Sequence, residues 1–292
     1  LKNIPIEPST DIFHTRGELP AFFLLRIFKN NKINILADIR GTSVEEVKYY
    51  FNQNPLLKHF KIINYKKALK SLSKVSMITA VSDTLRKYLI SEFRIDENKI
   101  VVIPSLAGDE FSFSDDTRKI MRKKMGFNEH DLVFIFTSGG YANWQKNEIL
   151  HSIPLREFKV INLSKMDLKG ANILNRFVTY EEVPDYLCAA DIALIWRDDN
   201  IVNRVASPVK FSEYICSGLP VVSNPPVESV AGFIKGNHVG CTIGKPEELT
   251  EPEINKLLKL SRTDISEIGR KYFSSSVVSN KYLNIYKSFD YK

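Results

Sequence analysis

Short, unbroken apolar runs separated by longer helical patterns constrain this chain more than any other feature. Runs at residues 33–37, 75–80, 100–103, 132–137, 159–163, 192–196, 220–223 and 240–243 read as strands. Their Val, Ile and Leu content is largely continuous rather than alternating, as in strands covered on both faces. Between them, residues 43–52, 56–73, 83–93, 180–189 and 208–217 carry helical spacing. This alternation predicts an α/β architecture of parallel, doubly wound sheets.

A chain of 292 residues suits two domains better than one core. The boundary falls between residues 105 and 130. There Ile103-Pro104-Ser105 closes a strand, residues 108–116 are polar and acidic, and residues 118–124 are charged before a fresh strand begins. We expect a first domain over 1–110, a second over 111–275 and a closing helix over 276–292. The opening residues read as the interior of a protein, so the first domain is expected to be incomplete at its N-terminus.

Hydrophobic residues at 43% and charged residues at 26% place the chain among globular proteins. No window reaches the roughly 18 uninterrupted apolar residues of a membrane span. Cys188, Cys216 and Cys241 lie among apolar or small neighbours without metal-site spacing, which predicts reduced thiols in a cytoplasmic protein. A net charge of +7 favours anionic partners. Lysines gather at Lys58, Lys61, Lys66, Lys67, Lys70 and Lys74, interleaved with Leu57, Phe60, Ile63, Ala68, Leu69 and Leu72. Such an amphipathic helix is either a solvated face or a surface that meets anionic lipid or a lipid-linked acceptor at the inner face of the cell membrane. No recognition motif for nucleic acid accompanies it.

Ligands of open parallel sheets bind beyond the carboxyl ends of the strands. Three places there carry suggestive residues. Thr137-Ser138-Gly139-Gly140 ends a strand, and Gly139 and Gly140 let backbone N–H groups approach a phosphate; a plain tight turn is the other reading. Lys146 follows with a cation for a diphosphate. Next, Ser207 reads as the N-cap of a helix whose first residue is Pro208. That helix start, from Ser207 through Pro208 and Val209, would bind an anion through its free amides and dipole. Arg204 and Lys210 add charge, and Glu213 presents a carboxylate that accepts two ribose hydroxyls, unless it is simply solvated. Last, Asp38 and Arg40 follow the strand at 33–37, and His14 and Arg16 precede Gly17 in the same manner. These four residues either line a cleft or make structural ion pairs and hydrogen bonds. No zinc spacing, Gly-x-x-x-x-Gly-Lys-Ser/Thr loop or Gly-x-Ser-x-Gly elbow occurs, and no Asp-x-Asp stands where a divalent metal would hold a diphosphate.

With these residues in place, the chain resembles bacterial glycosyltransferases of family 4. The most specific stretch is Ser207-Pro208-x-Lys210-x-x-Glu213-Tyr214 with Gly218-x-Pro220-Val221. Ile78-Thr79-Ala80-Val81-Ser82, Val102-Ile103-Pro104, residues 183–191 and residues 273–286 extend the likeness over nearly the whole chain. Ser138-Gly139-Gly140 with Trp144-Gln145-Lys146 is similar to the subset that builds surface polysaccharides such as capsule and lipopolysaccharide. The resemblance implies the GT-B fold, two Rossmann-like domains facing a central cleft. It implies Glu213 on the donor ribose and the Ser207–Val209 amides on the diphosphate, with Lys146 and Arg204 neutralising it. It places His14, Arg16, Asp38 and Arg40 on the acceptor side, with His14 or Asp38 assisting the acceptor hydroxyl. Two departures stand out. Val205 occupies the place of a Glu common in the family, and Tyr141 that of an Arg.

The expected activity is therefore retaining transfer of a sugar from a nucleoside diphosphate sugar to a glycan or lipid-linked acceptor. It needs no metal and no cofactor beyond that co-substrate. A non-catalytic subunit of the same fold and a nucleotide-sugar epimerase are the competing readings.

Overall fold

The computed structural model describes residues 11–29, 33–52, 54–138, 146, 149–155 and 157–289. The chain divides into two compact units. The first is Leu1–Pro104 with Arg204–Ser207 and Ser279–Lys292; the second is Ser105–Asn203 with Pro208–Val278.

The first unit holds four parallel strands, β1 (Ile12–Arg16), β2 (Asn34–Ile39), β3 (Met77–Ala80) and β4 (Ile100–Val102), side by side in that order. Ile35, Leu36, Ala37 and Ile39 of β2 are buried on both faces, so this strand reads as a continuous apolar run. The edge strand β1 is absent from the sequence expectation. Only Ile12 and Phe13 of its five residues are apolar and only Thr15 is buried, so it lacks that signature. The strand pairing sets Arg16 beside Asp38, and Asp38 beside Thr79.

The second unit is built on β5 (Val133–Thr137), β6 (Lys159–Leu163), β7 (Ile173–Arg176), β8 (Ile192–Ile195), β9 (Val221–Ser223) and β10 (Gly240–Thr242). All pairs are parallel, in the order β10-β9-β8-β5-β6-β7. The first strand is central, the next two lie on one side and the last three on the other. That is the doubly wound nucleotide-binding order, and its switch point lies between β5 and β8. Val133, Ile135, Ile161, Ala193 and Val221 fill the core on one face, while Phe134, Phe136, Val160, Leu194 and Val222 fill it on the other. The edge strand β7, with no fully buried residue, is again one that the apolar pattern does not show.

A buried cationic cluster ties the helices to the sheet's amino-terminal side. Asp191, just before β8, accepts from Arg118, Arg122 and the Val133 amide, the last at 2.7 Å. Arg262 donates to the carbonyls of Ala190 at 2.7 Å and Ser217 at 3.1 Å. Burial first, and then the Arg118 charge, pull the Arg262 guanidinium down to about 10. Helix Val209–Cys216 ends in a Schellman turn, with Gly218 N donating to Ile215 O and Leu219 N to Tyr214 O. Gly218 has φ 72°, and a Cβ there would strike the Arg262 carbonyl, so this turn requires glycine.

Candidate functional site

Helix Val209–Cys216 carries the candidate site of the second unit. Its cap position is Pro208, with φ −65° and ψ 124°, and the Pro208 carbonyl accepts from Phe211 N at 3.0 Å. The helix thus begins one residue later than the sequence suggests: Ser207 is outside it and Pro208 is not its first helical residue. The fixed φ of proline suits either place, and its extended ψ makes it the cap. The division between units falls at the same point. Arg204 and Ser207 group with the first unit, whereas Pro208, Val209, Lys210 and Glu213 belong to the second. The amides of Val209 and Lys210 have no acceptor inside the helix, and the helix dipole makes that end positive.

The helix is anchored from within. The Tyr214 hydroxyl accepts from Thr137 N at 2.9 Å and pairs with Thr137 Oγ1 at 2.7 Å, at the carboxyl end of β5. Ser212 Oγ donates to the Ser105 carbonyl at 2.6 Å. These bonds fix where the next side chains stand. Lys210 Nζ donates to Glu213 Oε2 at 2.8 Å, and the Glu213 side chain is only 1% exposed. Desolvation raises the Glu213 pKa above the ordinary carboxylate value; Lys210 opposes the shift and the Glu110 charge adds to it. The same surroundings hold Tyr180, whose ring meets Phe111 edge-on and whose hydroxyl bonds Glu110. Burial, then the Glu213 charge, push the Tyr180 hydroxyl up to about 12. Tyr180 and Glu110 are absent from the sequence expectation because each is far from Glu213 along the chain and only the fold gathers them.

Lys146 stands at the switch point. Its amide donates to the Trp196 carbonyl at 3.0 Å, and its Nζ lies 3.4 Å from Asp198 Oδ2. Its charge is therefore shared with an acid just past β8. Gly139, Gly140, Tyr141, Trp144 and Gln145 lie outside the described residues. Among the described residues, no three His, Cys, Asp or Glu side chains gather as a metal site would require.

The acceptor-side candidates all fall in the first unit. Asp38 lies inside β2 rather than after it, because that strand runs on to Ile39. Its buried carboxylate accepts from Thr79 Oγ1 at 2.8 Å, Tyr282 OH at 3.3 Å and Arg40 Nη1 at 3.4 Å. His14 lies within β1 and Arg16 at its end. His14 Nδ1 is 2.7 Å from Tyr286 OH, and its ring packs against Tyr282 and Tyr286. Burial, then the Asp38 charge, push the Tyr282 hydroxyl up to about 12. Asp38 and His14 thus fasten helix Ser275–Lys287 to β2 and β1, with Arg40 paired to the same carboxylate. Val205 is fully buried, and its carbonyl accepts from Ser82 Oγ at 2.6 Å.

Residues 6–106 match the model of Glycosyltransferase Family 4. Over those residues the chain is similar to this family. The whole chain has the GT-B fold of such enzymes. A glycosyltransferase from Rickettsia africae superposes with a TM-score of 0.67 at 18% identity, over 96% of this chain and 76% of the other. Sucrose-phosphate synthase from Thermosynechococcus elongatus gives 0.67 at 13% identity, over 95% and 73%. The Anabaena protein HepE, in complex with UDP-glucose, gives 0.66 at 12% identity, over 95% and 79%. At such identities these likenesses speak for the fold alone. No curated protein sequence matches the chain.

Proposed function

We propose that this glycosyltransferase-fold chain moves a sugar, with retention of anomeric configuration and without a metal ion, from a nucleoside diphosphate sugar to a glycan or lipid-linked acceptor. We place the reaction in the cytoplasm, in the building of a surface polysaccharide. The observation that carries this reading is the buried Glu213 paired with Lys210 on a helix start whose first amides have no acceptor inside the helix and whose Tyr214 is locked to the end of β5. Glu213 would accept the two ribose hydroxyls. The Val209 and Lys210 amides and the Lys210 ammonium would hold the diphosphate, with Lys146 from the β8 side.

The leaving diphosphate gains negative charge as the glycosidic bond breaks, so preorganised N–H groups and cations aimed at it lower the barrier. The acceptor hydroxyl attacks the anomeric carbon from the side the diphosphate leaves, and the departing phosphate oxygen takes its proton. This route needs no side-chain nucleophile. The three donors already on Asp38 and the Tyr286 contact of His14 fit anchoring better than proton abstraction. With Val205 buried where the family often has an acid, selection of the sugar rests on other groups.

HepE was solved with UDP-glucose, which makes that donor the first to try. Proton NMR of the transfer product in the presence of a chelator is expected to show the donor's anomeric configuration. An inverted product, or transfer abolished by the chelator, would refute the reading.

A further inference from the structure

Helix Pro55–Ser71 has two apolar stripes, not one. Ala68 and Leu69 are buried, as is Leu72 in the short turn after it. The sequence groups Leu57, Phe60 and Ile63 with Ala68, Leu69 and Leu72, but the structure exposes the first three and buries the others. Leu56 is 81% exposed, Phe60 66% and Ile63 37%. At about 100° per residue, positions 56, 60 and 63 share one side of the helix, opposite 65, 68, 69 and 72. Farther along that outer side come Lys67 and Lys70, with Lys66 at its flank and Lys74 in the turn that follows, all exposed. The outer face is therefore divided lengthwise into an apolar N-terminal end and a basic C-terminal end. Helices Glu18–Ile27 and Ser43–Tyr50 pack beside it and expose Phe23, Ile27 and Tyr49. Among the described residues of the first unit, the exposed large apolar side chains all lie on these three helices, apart from Leu283.

We propose that this face docks on an anionic lipid bilayer. The N-terminal end of the helix enters first, and the lysines rest on the headgroups. From Leu56 to Ile63 the helix rises about 10 Å, within reach of the roughly 5–10 Å depth of interfacial helices. The lysines supply the complementary charge. They also argue against a second copy of this chain as the occupant, because self-association through this face would bring like charges together. The inference stands independently of the donor site.

The test is co-sedimentation of the full chain with vesicles of phosphatidylcholine alone, or mixed with an equal part of phosphatidylglycerol. Binding is expected only with phosphatidylglycerol, and it should weaken with salt. The triple variant K66Q/K67Q/K70Q is expected to bind on the order of a hundredfold more weakly, from about fivefold per lysine near an anionic surface. L56S/F60S is expected to lose at least about tenfold through lost apolar insertion. Phe60→Trp, which keeps a large aromatic, should bind like the wild type and shift its emission to the blue on the mixed vesicles. Several results overturn the proposal: no wild-type binding to the mixed vesicles, binding kept by either multiple variant, or Phe60→Trp emission unmoved by lipid. So does a lipid-free dimer, seen by sedimentation velocity, that L56S/F60S dissociates while vesicles stay unbound.

Discussion

Asp191→Ala is expected to destabilise the second unit by about 3–5 kcal/mol, the cost of removing one partner from a buried charge cluster. One carboxylate serves Arg118, Arg122 and the β5 amide of Val133. Without it, that amide loses its acceptor, and the buried Arg122 and half-buried Arg118 guanidiniums have only carbonyls to meet. Arg262 suffers as well, since the Asp191 charge is what opposes burial and the neighbouring arginines. For a unit of this size the midpoint of thermal unfolding should fall by on the order of 10 °C. Asp191→Asn, which keeps an acceptor for Val133 N, should fall between the wild type and Asp191→Ala. A loss under about 1 kcal/mol for the alanine variant would place it with ordinary surface substitutions. The cluster would then carry little of the unit's stability.

Glu213→Ala is expected to lower kcat/KM for a nucleotide-sugar donor by a factor of about 10²–10³, since hydrogen bonds to a charged group contribute about 1.5–3 kcal/mol each and two ribose hydroxyls would lose theirs. The melting temperature should change little by comparison, because the carboxylate is itself a costly group to bury. Glu213→Gln adds a test in pH. The folded protein raises the Glu213 pKa, chiefly by desolvation. The stability this group contributes is then fully present below the unfolded carboxylate value, about 4.3. It is lost as the pH rises through the higher folded value. Glu213→Gln should flatten that limb of the stability profile. Donor affinity should run the other way, rising as Glu213 ionises, and the Gln variant should lose that rise. Melting curves and donor titrations across the same pH series check both signs.

Some of this architecture was readable before any coordinates. β2, β5, β6 and β8 are covered on both faces, so their apolar runs are continuous and mark them. β1 and β7 lie at sheet edges with polar residues such as His14, Arg16, Asn175 and Arg176, and no such run marks them. Lys210 and Glu213 were legible because three residues along a helix bring side chains to one face. Tyr180 and Glu110 were not, since only the packing of the second unit brings them to Glu213. Asp38 and His14 were singled out as polar residues beside apolar runs, but their partners Tyr282 and Tyr286 come from the last helix, 244 and 272 residues away. The sequence groups Leu57, Phe60 and Ile63 with Ala68, Leu69 and Leu72, and the structure divides that set for a related reason. Amphipathic reasoning assigns every apolar residue to the core, and here the helix has a second apolar side.

The most direct test of the donor site is isothermal calorimetry of UDP, GDP, ADP, CDP and dTDP binding to the full chain in excess chelator. Helix Val209–Cys216, with Lys210 and Glu213, predicts that at least one of these binds without a divalent ion and that Glu213→Ala weakens it by about tenfold or more. If none binds until a divalent ion is restored, or if Glu213→Ala binds as tightly as the wild type, the diphosphate is not held in the way described.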